Sequence, residues 1–124
     1  MALIRKEVEE NGKTTILVVA GTVAAEELVE AFKDFYRQGF TPNLVWDATH
    51  ADLAELSTDQ LRQIFSIAKD FSHLRESGKT AIVVAGSLGF GMGRMYEIFC
   101  ELDNHPIPLR VFKSREEAMA WLES

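Results

Sequence analysis

Three apolar runs constrain this chain most: Thr-Thr-Ile-Leu-Val-Val-Ala at 14–20, Leu-Val-Trp at 44–46 and Thr-Ala-Ile-Val-Val-Ala at 80–85. They are short and rich in β-branched residues, so they read as strands buried inside a sheet. Between them the apolar residues change period. Leu28, Val29, Phe32, Phe35 and Tyr36 fall on one helical face, as do Leu61, Ile64, Phe65, Ala68, Phe71 and Leu74. Buried strands that alternate with amphipathic helices specify an α/β fold with a mostly parallel sheet and right-handed crossovers.

The boundaries follow from turn and cap chemistry. Leu3 to Val8 mixes charge with apolar residues and reads as an edge strand. Asn11-Gly12 after it signals a tight antiparallel hairpin into the run at 14–20. Gly21-Thr22 ends that strand and opens a helix, with Glu26 and Glu27 in its early turns and Gly39 at its close. Pro42 precedes a strand that ends at Asp47. Ser57 with Gln60 three residues later is a capping box for the second helix, which Gly78 terminates. The turn Gly86-Ser-Leu-Gly-Phe-Gly-Met-Gly93 leads into a third helix with Met92, Met95, Tyr96, Phe99 and Leu102 inward, and Pro106 limits it. Leu109–Phe112 is the last strand. Ser114 and Glu117 cap a final helix with Ala118, Met119, Trp121 and Leu122 inward. The order β-β-α-β-α-β-α-β-α implies one domain over residues 1–124: a mixed sheet of about five strands, extended by the N-terminal hairpin strand and packed with about four helices.

Charge and composition narrow the function classes. A net charge of −6 argues against nucleic acid, which asks for a surplus of Lys and Arg. No apolar run approaches the roughly 20 residues of a membrane span, and the N-terminus lacks the pattern of a signal peptide. Cys100, the single cysteine, reads as an inert packed thiol in a reducing compartment. A cytoplasmic location is the expectation.

Certain features carry a family likeness: Gly39-Phe-Thr-Pro42 before the strand ending in Asp47, Leu56-Ser57-Thr58 opening a helix, Gly91-Met-Gly-Arg-Met-Tyr96 on the third helix, and Phe112 with Glu116-Glu-Ala-Met-Ala-Trp-Leu122. With the opening hairpin, this order resembles the STAS domain (sulfate transporter and anti-sigma-factor antagonist). It is more closely similar to the stand-alone SpoIIAA-like proteins, which combine STAS and Sec14-like features. The resemblance implies a bacterial regulatory domain without catalysis, and a serine at the start of the helix after the central strand that a partner kinase phosphorylates. Ser57 is the nearest match to that serine and Thr58 the second. The family's Asp-Ser-Ser-Gly-Leu motif reads here as Leu56-Ser57-Thr58-Asp59-Gln60-Leu61, without its leading Asp and its Gly.

Several sites are open to more than one reading. Ser57 is a phosphoacceptor or simply an N-cap. Asp47, Thr49 and His50, with Asp52, form a ligand or partner surface, a metal or acid–base site, or a polar crossing that closes its own turn. Asp47, Ser87 and Lys113 follow successive strands as in a phospho-accepting receiver, but Ala20-Gly21-Thr22 supplies no magnesium-binding acid. The glycines at 86–93 lack the endings of a nucleotide loop. They make the start of the third helix either a frayed segment or a movable one, able to gate an apolar pocket or offer an apolar face through Phe90, Met92, Met95, Tyr96 and Phe99. With no nucleophile–base pair, metal cluster or cofactor motif, the expectation is a non-enzymatic domain that binds a protein partner. Its alternative is an apolar small molecule, lipid or membrane surface met by the third helix.

Overall fold

The apolar runs lie side by side in one sheet. The computed structural model describes residues 1–75 and 77–124. Its strands are β1 (Ala2–Val8), β2 (Thr14–Thr22), β3 (Asn43–Asp52), β4 (Thr80–Val84) and β5 (Leu109–Phe112). Its helices are α1 (Ala25–Arg37), α2 (Thr58–Phe71), α3 (Gly86–Leu102) and α4 (Arg115–Leu122), with a 3-10 turn at Ser72–Arg75. The strands stand in chain order, β1 antiparallel to β2 and the rest parallel, as the alternation of runs and stripes predicts.

Because the order never reverses, each right-handed crossover lands on the same face of the sheet. There α1, α2 and α3 form one layer, α1 against α2 and α2 against α3. This layer buries Phe32, Phe35 and Leu44, with Phe65 and Tyr96 farther along. The chain leaves β5 with no strand left to make, and α4 folds onto the opposite face against β3, β4 and β5. That side closes over Ile16, Val45, Val83, Phe112, Ala118 and Leu122. An unreversed order also lacks the crevice that a topological switch point opens in doubly wound folds, and it rules out the receiver topology.

Several sequence-based expectations need correction. The hairpin is longer than a two-residue turn: Glu9 N–H bonds to Thr14 O, Gly12 alone takes a positive φ (+68°), and the Asn11 side chain accepts the Lys13 N–H. Gly21-Thr22 belongs to β2, and α1 opens only at Ala25, where the Glu27 carboxylate accepts the Ala24 N–H. Gly78 is not a left-handed helix stop: it passes so close to the Pro42 carbonyl that a Cβ there would collide with it. Leu74 and Leu102 are exposed: Leu74 lies in the 3-10 turn after α2, off its apolar stripe, and Leu102 is the last residue of α3.

The larger correction concerns β3. It does not stop at Asp47 but continues to Asp52. Val18 pairs with Asp47 and Ala20 with His50, so β3 spends one extra residue over this step, a β-bulge. Pairing with β4 ends at Ala48, while pairing with β2 runs on to Asp52. Beyond Ala48, β3 therefore leans with β2 and away from β4.

Candidate functional site

Alternation along β3 sends residues that are neighbours in sequence to opposite faces of the sheet. Leu44 and Trp46 face the three-helix layer, Val45 and Asp47 face α4, and Ala48 lines a cavity beneath the helices. Ser57 starts α2 on the side opposite Asp47. Asp47 and Ser57, both within the segment 44–61, thus serve different faces of the sheet.

On the α4 face, Asp47 is 7% exposed and fully engaged. Its Oδ1 accepts the Thr49 hydroxyl at 2.7 Å and the Thr49 N–H at 3.2 Å, and its Oδ2 accepts Arg115 Nη2 at 2.8 Å and Nε at 3.1 Å. Arg115 also reaches Glu7 on β1 at 3.4 Å. Burial pushes the Asp47 carboxyl up, but the hydrogen bonds from Thr49 and Arg115 outweigh it and hold the group below the ordinary carboxylate value. His50 is exposed, and Asp52 closes its own turn by accepting the Ala54 N–H at 3.0 Å. Among the described residues no three His, Cys, Asp or Glu side chains converge as metal ligands. Arg115 was invisible to motif reading. The usable signal was a cation in a helix's first turn, where the dipole disfavours it unless a specific anion compensates.

On the other face, Ser57 and Gln60 form the full capping box. Ser57 Oγ accepts the Gln60 N–H at 3.1 Å, and Gln60 Oε1 accepts the Ser57 N–H at 3.0 Å. Both Ser57 and Thr58 are exposed. The Thr58 hydroxyl donates to Met95 Sδ at 3.7 Å, and the Arg62 guanidinium lies 5.1 Å from the centre of the Phe99 ring. Ser57, Thr58, Met95 and Phe99 therefore share one surface along the α2–α3 seam.

The remaining third-helix residues go elsewhere. Residues 86–93 are not a turn ahead of the helix, because α3 begins at Gly86 itself. Its inward glycines are seating points. A Cβ on Gly89 would stand 3.3 Å from Val84 Cβ, and one on Gly93 would stand 2.9 Å from Val111 Cγ1. One turn on, buried Glu97 accepts the Val111 N–H at 2.8 Å and pairs with Arg94, locking α3 to β5. Phe90 lies under the Lys113 ammonium, 4.7 Å from its ring centre, and Ser87 is exposed in the first turn. Met92 and Tyr96 line the cavity, and burial raises the Tyr96 hydroxyl far above its usual pKa.

That cavity, about 110 Å³, runs between the sheet and α2. Trp46, Ile64 and Ile82 wall it, and Arg75, Thr80 and His105 lie at the end where β4 and β5 begin. Arg75 is a second functional candidate that sequence reasoning missed, since nothing local marks its burial. No helix among the described residues is long and apolar enough to cross a membrane.

Comparison with known proteins agrees with this architecture. An anti-sigma factor antagonist from Mycobacterium paratuberculosis superposes with a TM-score of 0.66 at 17% identity, covering 100% of this chain and 96% of that one. An uncharacterized DUF3478 protein with a SpoIIAA-like fold, from Shewanella loihica PV-4, superposes with a TM-score of 0.62 at 16% identity, covering 98% and 93%. No family model and no curated protein matches the sequence. At this identity the likeness is one of fold, and the fold is SpoIIAA-like.

Proposed function

We propose that this chain is a single, non-enzymatic regulatory domain that binds a protein partner at the exposed start of α2 and the adjoining surface of α3. The observation that carries the reading is the seam where Ser57 and Thr58 stand exposed beside Met95 and Phe99. Apolar side chains next to accessible hydroxyls make a surface whose character a single modification changes. The anti-sigma factor antagonist of the same fold supports a partner-binding role. In this reading the protein works in the cytoplasm of a bacterium, without metal, cofactor or nucleic acid.

The switch would be phosphorylation of Ser57 or Thr58. A phosphate brings up to two negative charges to a helix N-terminus, where free N–H groups and the dipole stabilise them. On Thr58 it would replace the hydroxyl that bonds to Met95, and on Ser57 it would rearrange the capping box. Phosphopeptide mass spectrometry on protein from its native cells, with a photo-crosslinker at Thr58 and a control at Lys6 on β1, tests both parts. The expected result is a phosphate on Ser57 or Thr58 and capture of one partner from position 58 alone. Unmodified residues under all growth conditions, together with equal capture from both positions, would remove the reading.

A second reading, an apolar small molecule held inside, is favoured by the cavity beneath α2. At about 110 Å³ the cavity is somewhat smaller than the roughly 150 Å³ apolar cavity that holds benzene, so it suits a short chain, or a single ring with slight give of the walls, and not a long acyl lipid. Native mass spectrometry of freshly purified protein tests it. A bare polypeptide mass in every preparation, with no small molecule taken up on soaking, counts against it.

A further inference from the structure

The cavity is apolar along its walls but not at its β4–β5 end. Arg75 is 4% exposed, and four of its five N–H donors go to neutral acceptors. Nε donates to the Tyr36 hydroxyl at 2.8 Å, Nη1 to the Pro42 carbonyl at 3.0 Å and the Lys79 carbonyl at 3.4 Å, and Nη2 to Thr80 Oγ1 at 2.7 Å. Nη2 carries a second N–H that has no partner among the described residues. The guanidinium also lies over the Phe35 and Tyr36 rings, at 5.5 and 5.8 Å. These contacts place the group, and among the described residues no carboxylate reaches it. Buried arginines are ordinarily paired, since an isolated charge away from water is costly. His105, at the same end, is pushed toward its neutral form by burial and by the field of Arg75, so it adds no competing charge there.

We infer that the cavity takes a small organic carboxylate. Its anionic group would bind Arg75 beside Thr80, and its apolar body would lie along Trp46, Ile64 and Ile82. The inference rests on the second reading above and adds the chemical class of the ligand. Arg offers a planar fork matched to a carboxylate, and a charge-assisted hydrogen bond in an apolar enclosure is stronger than one at the surface. The small volume confines the body to about the size of one aromatic ring or a short chain.

Titration of the wild-type protein, followed by amide NMR shifts at pH 7, tests this with benzoate and hexanoate against neutral benzyl alcohol and hexanol. The acids bind about tenfold or more tighter than the alcohols, the margin of one charge-assisted hydrogen bond. Their shifts cluster at Arg75, Thr80 and His105. Ala48→Leu, which fills the cavity from β3, abolishes binding of acids and alcohols alike, and Arg75→Met removes only the preference. The acid–alcohol comparison uses unaltered protein, so it stands even where Arg75→Met does not fold. Alcohols that bind as tightly as acids would overturn the carboxylate inference and leave the cavity reading standing. No binding by any of the four would overturn both, and acid binding that Ala48→Leu leaves untouched would place the acids elsewhere and overturn the inference.

Discussion

Arg115 places two nitrogens, Nη2 at 2.8 Å and Nε at 3.1 Å, on one carboxylate oxygen of Asp47. Asp47 stands at the bulge of the central strand and Arg115 in the first turn of the last helix, 68 residues later. The contact fastens α4 to the face of the sheet that the other three helices do not cover. It also consumes the acid that a sequence reading would reserve for a ligand.

The Asp47 carboxylate therefore contributes to stability in a pH-dependent way. Its folded pKa is depressed, so the contribution is present above the unfolded value of about 3.9 and is lost as pH falls through the folded value. Asp47→Asn should cost about 1.5–3 kcal/mol at neutral pH, the range for hydrogen bonds to a charged group. Urea unfolding at pH 7 and pH 3 measures this. The gap between variant and wild type narrows at the lower pH, and a constant gap would show that the negative charge is not what matters.

Two glycines in α3 should respond in opposite directions to the same substitution. Gly93→Ala sets a methyl 2.9 Å from Val111 Cγ1 and lowers stability by about 1–3 kcal/mol through overpacking. Gly91→Ala meets nothing within 4 Å and raises stability by about 0.5–1 kcal/mol by improving helix propensity. Thermal melts of the pair decide the point. If both substitutions stabilise, the helix is not seated as closely as Gly93 implies.

Ser57→Ala removes the acceptor for the Gln60 N–H and costs about 1 kcal/mol. Ser57→Asp keeps a good cap and stays within about 0.5 kcal/mol of wild type, since Asp and Ser rank together at N-caps. Denaturant midpoints test both. A matching stability for Ser57→Asp also makes it a fair mimic of modification in partner-binding assays.

Cys100 is buried, and burial pushes its thiol up to about 12. The thiolate is the reactive form, so the native protein should resist iodoacetamide at pH 8 and react fully once unfolded in denaturant. Rapid labelling of the native form would mean that α3 opens there far more readily than its packing suggests.

Elements with short-range causes were legible before the structure was known. The helix starts at Ser57 and Ser114 rest on a side chain and an N–H three residues apart; the Ser57 capping box forms in full, whereas of the box expected at Ser114 only the hydroxyl's bond from the Glu117 N–H forms. The strand at 80–84 and the edge character of β1 follow equally from local composition. Legibility failed where a residue's role depends on something distant. The glycines of α3 look like slack in sequence, yet Gly93 is required by Val111 on the neighbouring strand.

The sequence by itself determined the order of elements, the hairpin at the front, the mostly parallel sheet and the caps, because hydrophobic period and turn chemistry act within a few residues. The tertiary structure alone decided which face each residue serves. Alternation along β3 turns Asp47, with Val45, toward α4 and Arg115 and leaves Ala48, with Trp46, on the cavity, and the extra residue after Asp47 lets the strand run on along β2 to Asp52. It also decided that Arg75 is buried at the cavity's end, held by Tyr36, Pro42 and Thr80 from three separate parts of the chain. Strand register and the meeting of distant side chains follow from packing the whole sheet at once, and no local pattern encodes them.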